Sequence, residues 1–366
     1  LNNTSETFIS STNQASEEVL NGGNSLNPTI TSTWQSIVII CLTRWLALTA
    51  WWLIGTLVWF NNPFFQKQLS APETTIWIWN IIFITFFAGP IWEFANAFFN
   101  KTKYLESQSN SVLAWQGCFK LFRNLDQSET NALLFLAVRI FYLPLMIQFL
   151  MDHLLSFTIP NNLSSLTEWK SYFTDFGWLQ NTLYFIDTIP FVFAYLLNFG
   201  NFKTQSVNKN FIAWFFCLSC YPPFNSSWGE AFPYSHIEFA GWWGWISLVF
   251  ISVYVWASLA LGLKAGHLQY RGLCDKGPYA FVRHPAYAFK TLTWLVGGIA
   301  WSVMQINGNS DFKELTTLLI LNIINAVFWT WVYYMRAITE EEHLIKYPEY
   351  VAYCNKVKYR FFPGMV

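Results

Sequence analysis

Seven apolar stretches of about twenty residues recur along this chain, each suited to crossing a hydrocarbon core of roughly 30 Å as a helix. They lie at Ser36–Phe60, Ile76–Phe99, Ala132–Leu150, Trp178–Leu197, Phe239–Leu263, Thr291–Gln305 and Leu315–Met335. A shorter run, Asn210–Tyr221, ends at Pro222-Pro223 and reads either as a tilted short crossing or as a re-entrant helix. Only 11% of the residues are charged, against 54% hydrophobic, where a soluble domain carries about a quarter charged. The expectation is an all-α, polytopic transmembrane helix bundle with about seven to eight membrane helices, integral to a lipid bilayer.

Aromatic residues make up 20% of the chain, with 21 Trp and 17 Tyr, and suit the belts where such rings sit at headgroup level. The formal net charge is zero, so no basic field exists to attract nucleic acid. Lys and Arg concentrate in four connections, Lys101–Arg123, Lys203–Lys209, Lys264–Lys290 and Lys346–Arg360. Short basic loops favour the cytoplasmic side. All four share that side only if Asn210–Tyr221 crosses, giving eight crossings with both termini inside. The Asn100–Asn131 connection contains VLAWQGCFKLF, which fits an interfacial amphipathic helix.

Three segments follow from composition. Residues 1–33 are rich in Ser, Thr and Asn, contain no Lys or Arg, and read as a disordered polar tail without the basic start and apolar core of a signal peptide. Residues 34–236 form a front bundle, a candidate for acceptor specificity. Residues 237–366 carry the polar residues expected to do chemistry. The six cysteines are scattered and suggest no disulfide framework. Cys217 and Cys220 have CxxC spacing, but they sit inside the apolar run FIAWFFCLSC without a second pair or a neighbouring His, so small buried thiols are the better reading over redox or metal chemistry. GxGxxG after a strand, GxxxxGK[ST], HExxH and GxSxG are all missing, so any cofactor would be held by membrane helices and their connections.

Two polar constellations stand out. The first is GPYAFVRHPAYAF, Gly277 to Phe289. Pro285 marks a helix start, which places Arg283 and His284 at the positive end of a helix. Free N–H groups, the helix dipole and a guanidinium there would seat a carboxylate or phosphate. Tyr279 and Tyr287 add hydroxyls and ring faces able to stack on an adenine or lie against a sulfonium. The competing reading is a basic anchor snorkelling to headgroups. The second constellation, on the helix leaving the last span, holds Arg336, Glu340, Glu341, Glu342 and His343. Spacings of three and four put Arg336, Glu340 and His343 on one face. Successive carboxylates on a membrane face that favours cations suit a ligand's amine or cationic centre; an ordinary surface ion pair is the alternative. Within the spans, Arg139 is expected to pair with Asp187 or Glu93, and Arg44 is a further intramembrane charge.

GPYAFVRHPAYAF resembles the GPY-x-x-VRHP-x-Y signature of membrane methyltransferases related to isoprenylcysteine carboxyl methyltransferase. RAITEEEHLIKYPEYVAYCNKVKYRFFPG resembles the C-terminal block of the same family. The resemblance covers about the last 110 residues. It implies S-adenosylmethionine held by the C-terminal helices and connections under a lid formed by the tail, and a lipid-soluble acceptor entering sideways from the bilayer. Arg283, His284 and Tyr287 would take the cofactor's carboxylate and sugar end, with Tyr279 and Arg336 beside them. Glu340 and Glu341 would hold its amino or ribose groups. The catalytic candidates are His284 and Glu341, as base for an amine or hydroxyl acceptor; a carboxylate acceptor requires none. The family often has Phe-Gly before its final Glu-Tyr, where this chain has Tyr347-Pro348-Glu349-Tyr350. The tail also resembles that of NADPH-dependent membrane sterol reductases, for which Tyr287, Tyr350 and Tyr353 would be proton donors. A third reading is a non-catalytic membrane protein that binds lipid or a partner.

Overall fold

The computed structural model describes residues 34–61, 72–106, 109–120, 122–155, 176–196, 204–225, 241–306 and 312–364. The polar tail expected over residues 1–33 and the boundary drawn at 236/237 lie outside them. Each of the seven apolar stretches carries a helix over its described residues: α1 (Trp34–Asn61), α2 (Pro72–Phe99), α5 (Gln127–Leu155), α6 (Phe176–Leu196), α8 (Gly241–Leu261), α9 (Pro285–Ile306) and α10 (Phe312–Leu344). Short helices fill in the connections: α3 (Lys101–Glu106), α4 (Asn110–Phe119), α7 (Phe211–Leu218) and α11 (Pro348–Lys356). The result is an all-α bundle. Among the described residues, five helices are long and apolar enough to cross a membrane: α1, α2, α5, α8 and α10.

Apolar side chains cover the outside as well as the inside. Leu42, Leu46, Leu53 and Leu57 of α1, Phe83 and Ile91 of α2, and Ile320, Ile324 and Val327 of α10 are exposed. Such faces suit a lipid surround. The main core lies between α1, α5 and α6, where Trp59, Leu136, Tyr142, Leu143 and Tyr195 are buried together. There helices are tied by indoles donating to distant carbonyls: Trp59 Nε1 to Ile140 O at 3.0 Å and Trp51 Nε1 to Ser111 O at 3.1 Å. The helix expected in the Asn100–Asn131 connection is α4, which buries Leu113, Ala114 and Gly117 and leaves Phe119 exposed.

The intramembrane charges are arranged differently from the pairing expected. Arg139 donates to the Leu196 carbonyl at 3.2 Å and lies over the rings of Phe135 and Trp52. Asp187 instead accepts from Tyr254 at 2.6 Å, and Glu93 from Tyr104 at 2.5 Å, with Arg44 stacked on that same Tyr104 ring. Carbonyls and aromatic faces, which sequence spacing does not reveal, take the place of the carboxylate for Arg139.

One end of the bundle gathers the connections. A two-residue antiparallel ribbon pairs Ser206 (β1, Ser206–Val207) with Tyr270 (β2, Gln269–Tyr270) and Val207 with Gln269. Lys209 Nζ reaches Gln127 Oε1 at the start of α5 (2.7 Å), Asn208 Nδ2 reaches the Thr339 carbonyl near the end of α10 (3.0 Å), and Lys120 pairs with Glu129 (2.6 Å). The four basic connections therefore meet at this end. Asn210 caps α7 by accepting from Ile212 N–H at 2.9 Å. That helix has eight residues, about 12 Å at 1.5 Å per residue, and so does not itself cross. The six cysteines are free; Cys217 and Cys220 are buried thiols bonded to Tyr142 and to the Phe216 carbonyl.

Candidate functional site

Gly277 holds a left-handed φ of +59°, and a Cβ there would sit 3.2 Å from the Ala260 Cβ and 3.3 Å from Trp256 Nε1. Glycine thus lets the Gly277–Ala280 turn lie against α8. The turn buries Tyr279, whose carbonyl accepts from Tyr353 OH at 2.7 Å. Pro285 opens α9, as its missing N–H allows. The N–H groups just before it are not free for an anion. Arg283 and His284 donate theirs to the carbonyls of Tyr359 and Arg360, each at 2.9 Å. The tail thus occupies the anion seat expected from sequence at those two donors.

Glu341 is the centre of a charged clasp. Its Oε1 accepts from His284 Nε2 at 3.0 Å and Arg360 Nε at 3.2 Å; its Oε2 accepts from Arg360 Nη2 at 2.9 Å. Arg283 Nε lies 3.0 Å from the same Oε1, an ion pair by distance whose N–H is not aimed along a hydrogen bond. A carboxylate accepts only, so His284 carries its proton on Nε2, leaving Nδ1 turned toward Glu340 Oε2 at 3.9 Å. The Glu341 hydrogen bond holds the Arg360 guanidinium more firmly charged than usual.

A cavity of about 190 Å³ opens beside this clasp. Tyr279, Arg283, His284, Tyr287, Arg336 and Glu340 line it, so six of the seven residues singled out in the sequence converge there; Glu341 stands behind the wall. Tyr287 OH donates to Glu340 Oε1 at 2.5 Å, and Arg336 Nη2 is 3.8 Å from the same oxygen. The Arg336 guanidinium is buried beneath the rings of Tyr287 (5.0 Å), Tyr333 (5.4 Å) and Tyr221 (5.8 Å), and its Nε has no hydrogen-bond partner among the described residues.

The opposite wall was not legible as a site. His267 joins Tyr195 OH through Nδ1 and Tyr221 OH through Nε2, both at 2.5 Å, and stacks on Tyr142 at 4.2 Å. Its backbone N–H donates to Tyr195 OH at 2.9 Å, which frees that hydroxyl to donate to Nδ1 and puts the ring proton on Nε2. Burial, with the Arg336 and Lys290 cations nearby, holds His267 well below its ordinary pKa, so it is neutral. Gln269 accepts from Thr204 Oγ1 at 3.0 Å while its buried Nε2 has no hydrogen-bond partner among the described residues. Burial likewise raises the Tyr279 and Tyr353 phenols. His343, on the face expected, bonds Ser206 Oγ at 2.9 Å. No period of two or 3.6 marks His267 or Gln269, because they lie on a connection; the ribbon that places them is only two residues long.

The chain matches no protein-family model, no curated protein and no solved structure.

Proposed function

We propose that this protein is an integral membrane methyltransferase that uses S-adenosylmethionine and acts on a lipophilic acceptor. One observation carries the reading. Two motif blocks some fifty residues apart meet at a single cavity, where the Tyr287 hydroxyl rests 2.5 Å from Glu340 and Arg336 lies 3.8 Å from the same carboxylate. An amino-acid zwitterion needs a cation and a carboxylate within one small space, and the orphaned Arg336 Nε and Gln269 Nε2 are buried donors suited to a ligand's oxygens.

S-adenosylmethionine supplies a methyl group already activated on a sulfonium. Arg336 would take its carboxylate, Glu340 its amine, and the tyrosine rings around Arg336 would exclude water. Glu341 acts through His284: by anchoring Nε2–H it leaves Nδ1 as the atom able to accept a proton from an amine or hydroxyl acceptor. The gathering of the basic connections at this end supports a cytoplasmic site. In this reading all seven long helices cross; α7 begins at the cavity end, and α8 finishes there.

The test is calorimetric titration of the detergent-purified protein with S-adenosylhomocysteine beside NADPH. Binding of the first alone is expected, and Arg336→Met should abolish it. Binding of NADPH alone would replace this reading with a reductase, and binding of neither would favour a non-catalytic protein.

A further inference from the structure

Lys290 counts in the sequence as a loop cation at a span end. The structure puts it inside α9, three residues beyond Tyr287 and on the cavity wall. Its ammonium sits within an aromatic collar built by three helices, 5.6 Å from the ring centre of Tyr254 (α8), 5.4 Å from Trp294 (α9) and 5.5 Å from Tyr333 (α10). Among the described residues no hydrogen bond or ion pair reaches it. Asp187 on α6 compensates its charge electrostatically, but that carboxylate forms no ion pair with it and is turned to Tyr254, which donates to its Oδ2 at 2.6 Å.

Ring faces offset part of the cost of a cation in a membrane helix. They offer nothing to three N–H donors, and donors left without acceptors in such a place are expensive. The charge on the walls points the same way. Lys264, Arg271, Arg283, Lys290 and Arg336 line the cavity, and Glu340 is the sole carboxylate that does so among the described residues. Arg283 shares Glu341 with Arg360, Lys264 is bonded to the Leu273 carbonyl, and Arg271 donates to the Ala194 carbonyl. Arg336 shares Glu340 and would hold the cofactor's carboxylate. Of the cations in the lining, Lys290 is the one that no hydrogen bond or ion pair reaches among the described residues. It stands deeper in α9 than Tyr287, next to the lining rings of Tyr254 and Tyr333.

We propose that Lys290 reads the acceptor: it takes the oxyanion headgroup of a lipid amphiphile, a carboxylate or a phosphate, whose chain leaves past the aromatic collar. The word acceptor rests on the methyltransferase reading; the binding of a lipid anion does not. The experiment is a pair of calorimetric titrations in a neutral maltoside detergent. One uses oleate, dioleoyl phosphatidate and oleyl alcohol; the other uses S-adenosylhomocysteine. Wild type is compared with Lys290→Met, Lys290→Gln and Lys290→Arg, each first checked by thermal melting.

Loss of a charge-assisted hydrogen bond weakens binding by at least about tenfold. The expected result is saturable binding of an anionic lipid, at least about tenfold weaker binding of the alcohol, a similar loss in the Met and Gln variants, and retention in Arg. Oleate alone would assign a carboxylate, phosphatidate alone a phosphate. Equal binding of the alcohol, or undiminished binding in Met or Gln, overturns the proposal; should Met fail to fold, Gln decides. Lysine-dependent anion binding without S-adenosylhomocysteine binding would sink the methyltransferase reading and leave the lysine site standing. The reverse pattern would sink the lysine site alone.

Discussion

The front bundle and the cavity end satisfy their polar groups by opposite means. In α1, α4 and α5 the polar atoms mostly donate to backbone carbonyls: Thr49 to Trp45, Thr56 to Trp52, Trp59 to Ile140 and Trp115 to Ala47. Around the cavity, beside such bonds to carbonyls as those of Lys264, Arg271 and Tyr353, many side chains bond to titratable side chains: Glu341 with Arg360 and His284, Tyr287 with Glu340, Tyr270 with Glu349. A carbonyl cannot change its charge, so the first kind of contact locks helices without regard to pH or ligand. The second kind is strong only while every partner is present and correctly protonated. The Glu93–Tyr104 contact beside Arg44 and the Lys120–Glu129 pair are places where the front bundle borrows the second method.

The sharpest way to break this contrast is Arg336→Met. Removing a buried cation while Glu340 remains should cost about 3 kcal/mol and abolish S-adenosylhomocysteine binding, read by melting and titration. Next comes Glu341→Gln, which weakens three partners at once. A loss of about 2 kcal/mol is expected, together with faster tryptic cleavage at Lys358 and Arg360 as the tail comes off the start of α9. The third test is pH. His267 is neutral when folded, with its pKa depressed, so nothing changes above about pH 6.5. Below that the unfolded chain binds a proton that the folded chain refuses. Stability should then fall toward acid by up to about 1.4 kcal/mol per pH unit from this residue, and His267→Asn should flatten the slope measured by denaturation. The smallest effect belongs to the front bundle. Thr56→Val should shift stability by under about 1 kcal/mol and leave ligand binding untouched; a large effect on binding would erase the distinction between the two regions.

The helices were legible because runs of apolar residues are a direct record of what lipid demands. Of the cavity, the wall carried by α9 and α10 was legible, since Arg283, His284, Tyr287, Arg336 and Glu340 are polar residues pressed against apolar spans. Three things were not. Glu341 has the same local setting as Glu340, and only the next turn of packing sends one carboxylate to the cavity and the other to Arg360. Lys290 counted as the last residue of the basic Lys264–Lys290 connection, since the apolar run starts only at Thr291; the helix in fact begins at Pro285, five residues earlier. His267 and Tyr221 are drawn together by contacts between segments far apart in the chain, Tyr195 among them.

The ribbon joining Ser206–Val207 to Gln269–Tyr270 bears on how such a chain could be recombined. A chimaera spliced between α7 and α8, so as to graft one protein's front half onto another's back half, would inherit one strand of that ribbon from each parent. It would likewise inherit one partner of the Tyr195–His267 and Asn208–Thr339 bonds from each. Orphaned Gln269 and His267 would then face the cavity in altered positions, so an exchange meant to alter only the lipid-facing half would also disturb the ligand site. Working hybrids should need the 204–210 and 265–271 segments to travel together from a single parent.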